Sequence, residues 1–84
     1  MERIYVGKVS HYYTKIGVAV VDLDGTLKRG DKIEIEGKTT KLTQIVSSMQ
    51  IDKKDVEEAG KGESVGLKVN DRVREGDKVY KIVE

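Results

Sequence analysis

Apolar and polar residues alternate with a period of two along much of the chain, and glycine or aspartate breaks the alternation at short intervals. Ile4-Tyr5-Val6-Gly7-Lys8-Val9 reads as a first strand, and the glycine inside it predicts a bulge or a close backbone approach. Ile16 to Val21 reads as a second strand whose run Val18-Ala19-Val20-Val21 is too apolar to be solvated on both faces. His11-Tyr12-Tyr13-Thr14-Lys15 is the expected hairpin loop between them, and Asp24-Gly25 is the next turn signal. Lys32 to Glu36 alternates cleanly, with Ile33 and Ile35 facing in, and Gly37 turns the chain. From Lys41 to Ile51 the apolar positions Leu42, Ile45, Val46, Met49 and Ile51 break strict alternation. Part of that spacing also fits a helix, but the Thr, Ile and Val content favours a bulged or strongly coiled strand. Val56 and Ala59, three apart in the charged stretch 52–62, predict one helical turn packed on the sheet. Val65 to Val69 and Lys78 to Val83 are the last strands, with a turn at Asn70-Asp71. Six or seven short strands without a long helix predict an all-β, antiparallel, closed barrel, because closure removes exposed edges.

One pattern occurs twice: Leu27-Lys28-Arg29-Gly30-Asp31-Lys32-Ile33 and Val73-Arg74-Glu75-Gly76-Asp77-Lys78-Val79. Each copy reads as a strand end, a tight turn and a strand start. Gly30 and Gly76 are therefore expected at positive φ, or where a side chain cannot fit. The sequences between the copies do not match, so these are two similar turns and not a duplicated unit.

Composition narrows the chemistry. The 84 residues are 37% hydrophobic and 37% charged, which predicts a single small globular domain over 1–84. Without cysteine there is no disulfide and no thiolate ligand or nucleophile. The net charge of +1 is not the strongly basic balance of a dedicated duplex-DNA binder. No apolar run approaches the roughly 18 residues of a membrane helix, and a strand pattern from Ile4 predicts no signal peptide, so a cytoplasmic setting is expected. Abundant Lys and Glu without Cys or Trp match proteins of hot environments.

Few constellations point to chemistry. Gly37-Lys38-Thr39-Thr40 has the tail of a phosphate-binding loop, but Lys32 stands where that motif needs glycine, and a strand follows instead of a helix. His11 is the only histidine and has no identifiable orienting carboxylate. Asp52, Asp55, Glu57, Glu58 and Glu63 are interleaved with Lys53, Lys54 and Lys61, as in a solvated loop. No catalytic, metal or cofactor residue is assigned, and no cofactor is expected. Tyr12-Tyr13 with Lys15 is the better candidate: aromatics at a hairpin tip can stack bases or anchor a protein, with lysine meeting phosphate. Lys53-Lys54, just beyond the strand with Met49 and Gln50, is a second, weaker basic site. Lys28-Arg29-Lys32 and Arg72, Arg74, Lys78 and Lys81 read mainly as solubilising faces.

The ordered series Gly7-Lys8-Val9, Val18-Ala19-Val20-Val21, Gly25-x-Leu27-x-x-Gly30-Asp31, Met49, Ala59-x-x-Gly62-Glu63-Ser64-Val65-Gly66-Leu67 and Gly76-Asp77-x-Val79 resembles the second domain of translation GTPases such as elongation factor Tu and bacterial initiation factor two. The resemblance implies a small Greek-key antiparallel barrel. The stretches Lys38-Thr39-Thr40 and Ser48-Met49-Gln50-Ile51 are similar to stand-alone elongation-factor-like proteins of prokaryotes and to barrels appended to collagenase-type peptidases, in which the chemistry lies elsewhere. In elongation factor Tu the domain helps to hold the aminoacylated end of tRNA. Ser48 and Ser64 replace the family's Glu and Asn, so only Met49, Gly62, Glu63 and Val65 carry over. The expectation is a non-catalytic module for RNA or a ribonucleoprotein linked to translation, with Tyr12, Tyr13, Lys15, Met49, Lys53 and Lys54 as contacts. The alternative is a protein-interaction or accessory module that docks on a separately encoded enzyme of peptidase type. Neither a membrane nor a nucleotide cofactor is expected as a partner.

Overall fold

A computed structural model describes residues 2–83 of the expected domain. They form strands β1 (Glu2–Tyr13), β2 (Val18–Leu23), β3 (Leu27–Lys28), β4 (Lys32–Glu36), β5 (Lys41–Ile45), β6 (Met49–Ile51), β7 (Lys54–Asp55), β8 (Glu58–Ala59), β9 (Ser64–Lys68) and β10 (Lys78–Val83). All pairings are antiparallel. An eight-stranded sheet runs in the order β5-β4-β10-β1-β2-β9-β6-β7, and β3 pairs with β8 apart from it.

The long β1 serves two neighbours. Its first part pairs with β10 and its second with β2, and its register shifts between Tyr5 and Gly7 and again between Val9 and His11. Gly7 is required at the first shift, because a Cβ there would lie 2.5 Å from the Asp22 carbonyl oxygen. Alternation then sorts side chains inward: Ile33 and Ile35 of β4, Val65 and Leu67 of β9 and Val79 of β10 are all buried in one core.

Four expectations are corrected. The stretch 41–51 is not one coiled strand but β5 and β6, separated because the Val46 backbone pairs elsewhere: its N–H donates to Asp31 O at 2.9 Å and its carbonyl accepts from Gly30 N at 2.9 Å. The helical turn at Val56 and Ala59 is extended chain. Val56 N donates to Met49 O at 2.9 Å, and Ala59 pairs with Leu27, both of them buried in the core. His11 to Tyr13 belong to β1, so the hairpin loop contracts to Thr14–Gly17, closed by Gly17 N to Tyr13 O at 2.9 Å. With the short strands counted there are ten among the described residues, not six or seven.

The glycine–acid corners share one geometry. At Lys28–Asp31 the Asp31 N–H donates to Lys28 O (3.1 Å), the Asp31 carboxylate accepts from Lys28 N (2.9 Å), and Gly30 has φ +92. At Arg74–Asp77 the same bonds measure 3.1 and 2.9 Å, and Gly76 has φ +91. These are type II turns with glycine at the third position, locked by an acid at the fourth. The Gly60–Glu63 segment is a third copy that the pattern did not reveal, with Glu63 in the acid's place, bonds of 3.1 and 2.8 Å, and Gly62 at φ +91. Each corner clamps one buried core residue between its glycine N–H and its acid carbonyl: Val46, Val9 and Leu23 respectively.

The ends of the larger ladder are β5 and β7. Gln44 of β5 is buried and reaches the end of β9, where its Nε2 donates to Lys68 O and its Oε1 accepts from Asn70 N, both at 2.8 Å.

Candidate functional site

Strand β2 presents Ala19 and Val21 to the core, which leaves Val18 and Val20 on the outer face. Val20, Gly66 and Gln50 are register partners across β2, β9 and β6, so they share that face. A side chain at position 66 would fill the space between the neighbouring strands, with its Cβ 3.3 Å from Val18 Cγ1. The outcome is an outer groove of about 620 Å³ with an apolar floor.

Two hairpin tips wall it. On one side stand Tyr13 and Ile16, 49% and 57% exposed. Their loop is held by Lys68 Nζ, which donates to Ile16 O at 2.7 Å, and by Gly17 at φ +65. On the other side stand Gln50, Asp52 and Lys53. Asp52 and Lys53 are the two central residues of the β6–β7 hairpin and both have positive φ, +51 and +66. That is the pattern of a type I′ turn, for which Asn-Gly is the unstrained choice.

The candidates named from sequence separate here. Tyr13 and Lys53, forty residues apart in sequence, both line the groove. Lys15 lines an adjoining hollow of about 330 Å³ that shares Tyr13 and Ile16 with it. Tyr12 lines the same hollow as Tyr13 and Lys15 but is partly buried against the core, whereas Tyr13 is about half exposed. Tyr13 meets His11 edge to face, with ring centroids 4.3 Å apart, and His11 Nδ1 donates to Glu75 Oε2 at 3.1 Å. Lys54 is exposed on β7. Met49 is corrected: it is fully buried in the core, so the position carried over from the resemblance supports the sheet from inside. Ile16, Val18, Val20 and Gln50 were not anticipated. For Val18 and Val20 the sequence signal was the over-apolar run at 18–21.

A second aromatic cluster lies on the β1–β10–β4 face and is already satisfied. Arg3 bonds Glu34 at 2.6 Å and Glu36 at 3.3 Å and lies 4.4 Å over the Tyr80 ring. Bonds to Glu34 and then Glu36 raise the Arg3 pKa above its ordinary value.

Antiparallel strands pinned at glycine–acid corners and hollowed on one outer face define a small all-β domain. The elongation factor Tu domain 2 family model matches residues 18–79, and the chain belongs to that family. It is 52% identical over 83 residues to an uncharacterised protease of Methanocaldococcus jannaschii, covering 98% of this chain and 20% of that protein. It is 38% identical over 82 residues to a collagenase of Porphyromonas gingivalis, covering 95% of this chain and 20% of the collagenase. The chain thus spans about a fifth of the length of these relatives. Among solved structures, the C-terminal domain of a Geobacillus thermoleovorans protein assigned to the U32 peptidases superposes with a TM-score of 0.89 at 20% identity, covering 95% of this chain and 93% of that one. A bacterial selenocysteine-specific elongation factor superposes with a TM-score of 0.66 at 24% identity, covering 94% of this chain and 14% of the factor. Both resemblances read from the sequence, to translation-factor second domains and to peptidase-appended barrels, are borne out.

Proposed function

We propose that this chain is a non-catalytic accessory module of peptidase-type systems, which binds a polypeptide surface of its partner in the outer groove. The observation that carries the reading is the apolar floor of Val18 and Val20 between two fixed hairpin tips, a surface that gains by desolvation against another protein. The 52% identity to a segment of a protease supports the partner class. Tyr13 and Ile16 act as apolar anchors, and Lys53 and Asp52 as a charged rim.

The test is titration of the isotope-labelled chain with the remaining part of the Methanocaldococcus jannaschii relative, produced without its matching segment. Saturable amide shifts confined to residues 13–20, 50–53 and 64–66 are expected. The double variant Tyr13→Ala/Ile16→Ala is expected to bind roughly tenfold or more weakly. Unchanged affinity in that variant, or no binding to the protein at all, overturns the reading.

In the same reading, the curled sheet behaves as a closed wall, with the Gln44 amide as the seam between β5 and the end of β9. The Asn70 amide should then exchange as slowly as those of the core strands. Rapid exchange there opens the seam.

A further inference from the structure

A polar cleft of about 250 Å³ lies away from the outer groove and shares no lining residue with it. Its walls are the turn and strand start Thr39-Thr40-Lys41-Leu42 and the loop residues Asp71, Arg72 and Arg74. The chain brings these segments together only by folding, since they lie some thirty residues apart. Three cations face one carboxylate there, in a protein whose overall charge is +1.

The four arginines divide sharply. Arg3 pairs with Glu34 at 2.6 Å, and Arg29 with Glu57 at 2.9 Å. Arg72 and Arg74 form no ion pair among the described residues, and neither does Lys41. Yet their backbones are fixed. Arg72 N donates to Asp71 Oδ1 at 2.7 Å, which occupies one oxygen of the only carboxylate lining the cleft. Arg74 N donates to the buried Asp77 carboxylate at 2.9 Å. Across the cleft, Gly37 N bonds Thr40 O at 2.8 Å and closes the turn that carries Thr39 and Thr40. Two guanidinium groups on a pinned loop, an ammonium and two hydroxyl-bearing residues thus surround a concave polar space.

We propose that this cleft binds a tetrahedral phosphate group. Guanidinium forks match phosphate oxygens in pairs, lysine adds a point charge, and threonine hydroxyls complete the donor set. Gly37-Lys38-Thr39-Thr40 contributes through Thr39 and Thr40, in a site of side chains from two loops. It lacks the helix N-terminus of a nucleotide-binding loop. The phosphate comes either from a small phosphate ester or from the backbone of single-stranded RNA, and the two sources share this recognition chemistry.

The experiment titrates the labelled full chain with inorganic phosphate at constant ionic strength, using chloride as the control, and in a second arm with a twelve-nucleotide single-stranded RNA. Phosphate is expected to shift the amides of residues 39–42 and 71–74 saturably. Arg72→Ala/Arg74→Ala is expected to weaken binding roughly tenfold or more, because charge-assisted bonds are lost. Both side chains are exposed and their backbone bonds survive truncation, so the fold should persist. Lys41→Gln gives an independent, smaller loss should the double variant melt. RNA binding about tenfold or more tighter than phosphate, falling with salt and lost in the double variant, assigns the nucleic-acid source. Equal affinities assign the small ester. Shifts no larger than those with chloride, or RNA binding that survives both variants, overturn the proposal.

Discussion

Positive φ falls on glycine at all three corners, Gly30, Gly62 and Gly76, but on Asp52 and Lys53 at the β6–β7 hairpin. The corners follow the backbone: each needs a left-handed residue, nothing lies within 4 Å of a Cβ built there, and glycine removes the strain. The hairpin departs from that rule. A non-glycine residue in the left-handed region costs about 1–2 kcal/mol, less for Asp than for Lys. The chain tolerates this cost where both side chains wall the groove. A local choice that conflicts with local propensity points to a role outside the turn itself. The corners are scaffold, and the hairpin is where the proposed groove function would explain side chains kept against backbone preference.

The largest effect should come from behind the second corner. A Cβ on Gly37 would overlap the Asp77 carboxylate, which is buried and bonded to Arg74 N. Gly37→Ala is therefore expected to cost about 3 kcal/mol by urea unfolding, through forced displacement and loss of that bond. A loss under about 1 kcal/mol would mean that the carboxylate swings aside freely and does not lock the corner. Next come the acids themselves. Asp77→Ala leaves a partly buried N–H without its acceptor and should cost about 2 kcal/mol, whereas Asp31→Ala exposes Lys28 N to water and should cost about 1. Equal costs would remove the distinction between a buried and a solvated corner.

Gly30→Ala and Gly76→Ala test whether the corners are one device. Their φ values, +92 and +91, and their open surroundings match, so each variant should lose about 1–2 kcal/mol and the two losses should agree closely. A difference above about 1 kcal/mol would mean that tertiary contacts, and not backbone conformation, select the glycines.

Much of this scaffold was legible because its signals are local. Gly30 and Gly76 announced their conformation through the residues beside them, and Ile33 and Ile35 their burial through alternation. The Gly60–Glu63 corner was missed because Glu replaces Asp and a charged stretch surrounds it. The Lys41–Ile51 stretch was misread for a non-local reason: the Val46 backbone is recruited by the first corner, which no pattern within 41–51 encodes. The groove was half legible. Tyr13 and Lys53 stood out as residue types, but the register that sets Val20, Gly66 and Gln50 on one face emerges only when three distant strands pair. Met49 was misassigned because a position matched to a family motif carries no information about which face it occupies.

The smallest expected effect decides most about the comparison. Asp52→Asn/Lys53→Gly supplies the preferred residues of a two-residue type I′ turn, so it should stabilise the chain by about 1 kcal/mol in urea unfolding. The same variant removes a charged rim from the groove and should weaken partner binding several-fold, while the amides of the three corners keep their shifts. A gain in stability with a loss of binding is the signature of side chains retained against backbone preference. If the variant is destabilised, Asp52 and Lys53 hold the hairpin themselves and the turn belongs with the corners as scaffold. If stability rises and binding is unchanged, the strained tip serves no recognition, and the groove must rest on Tyr13 and Ile16 alone.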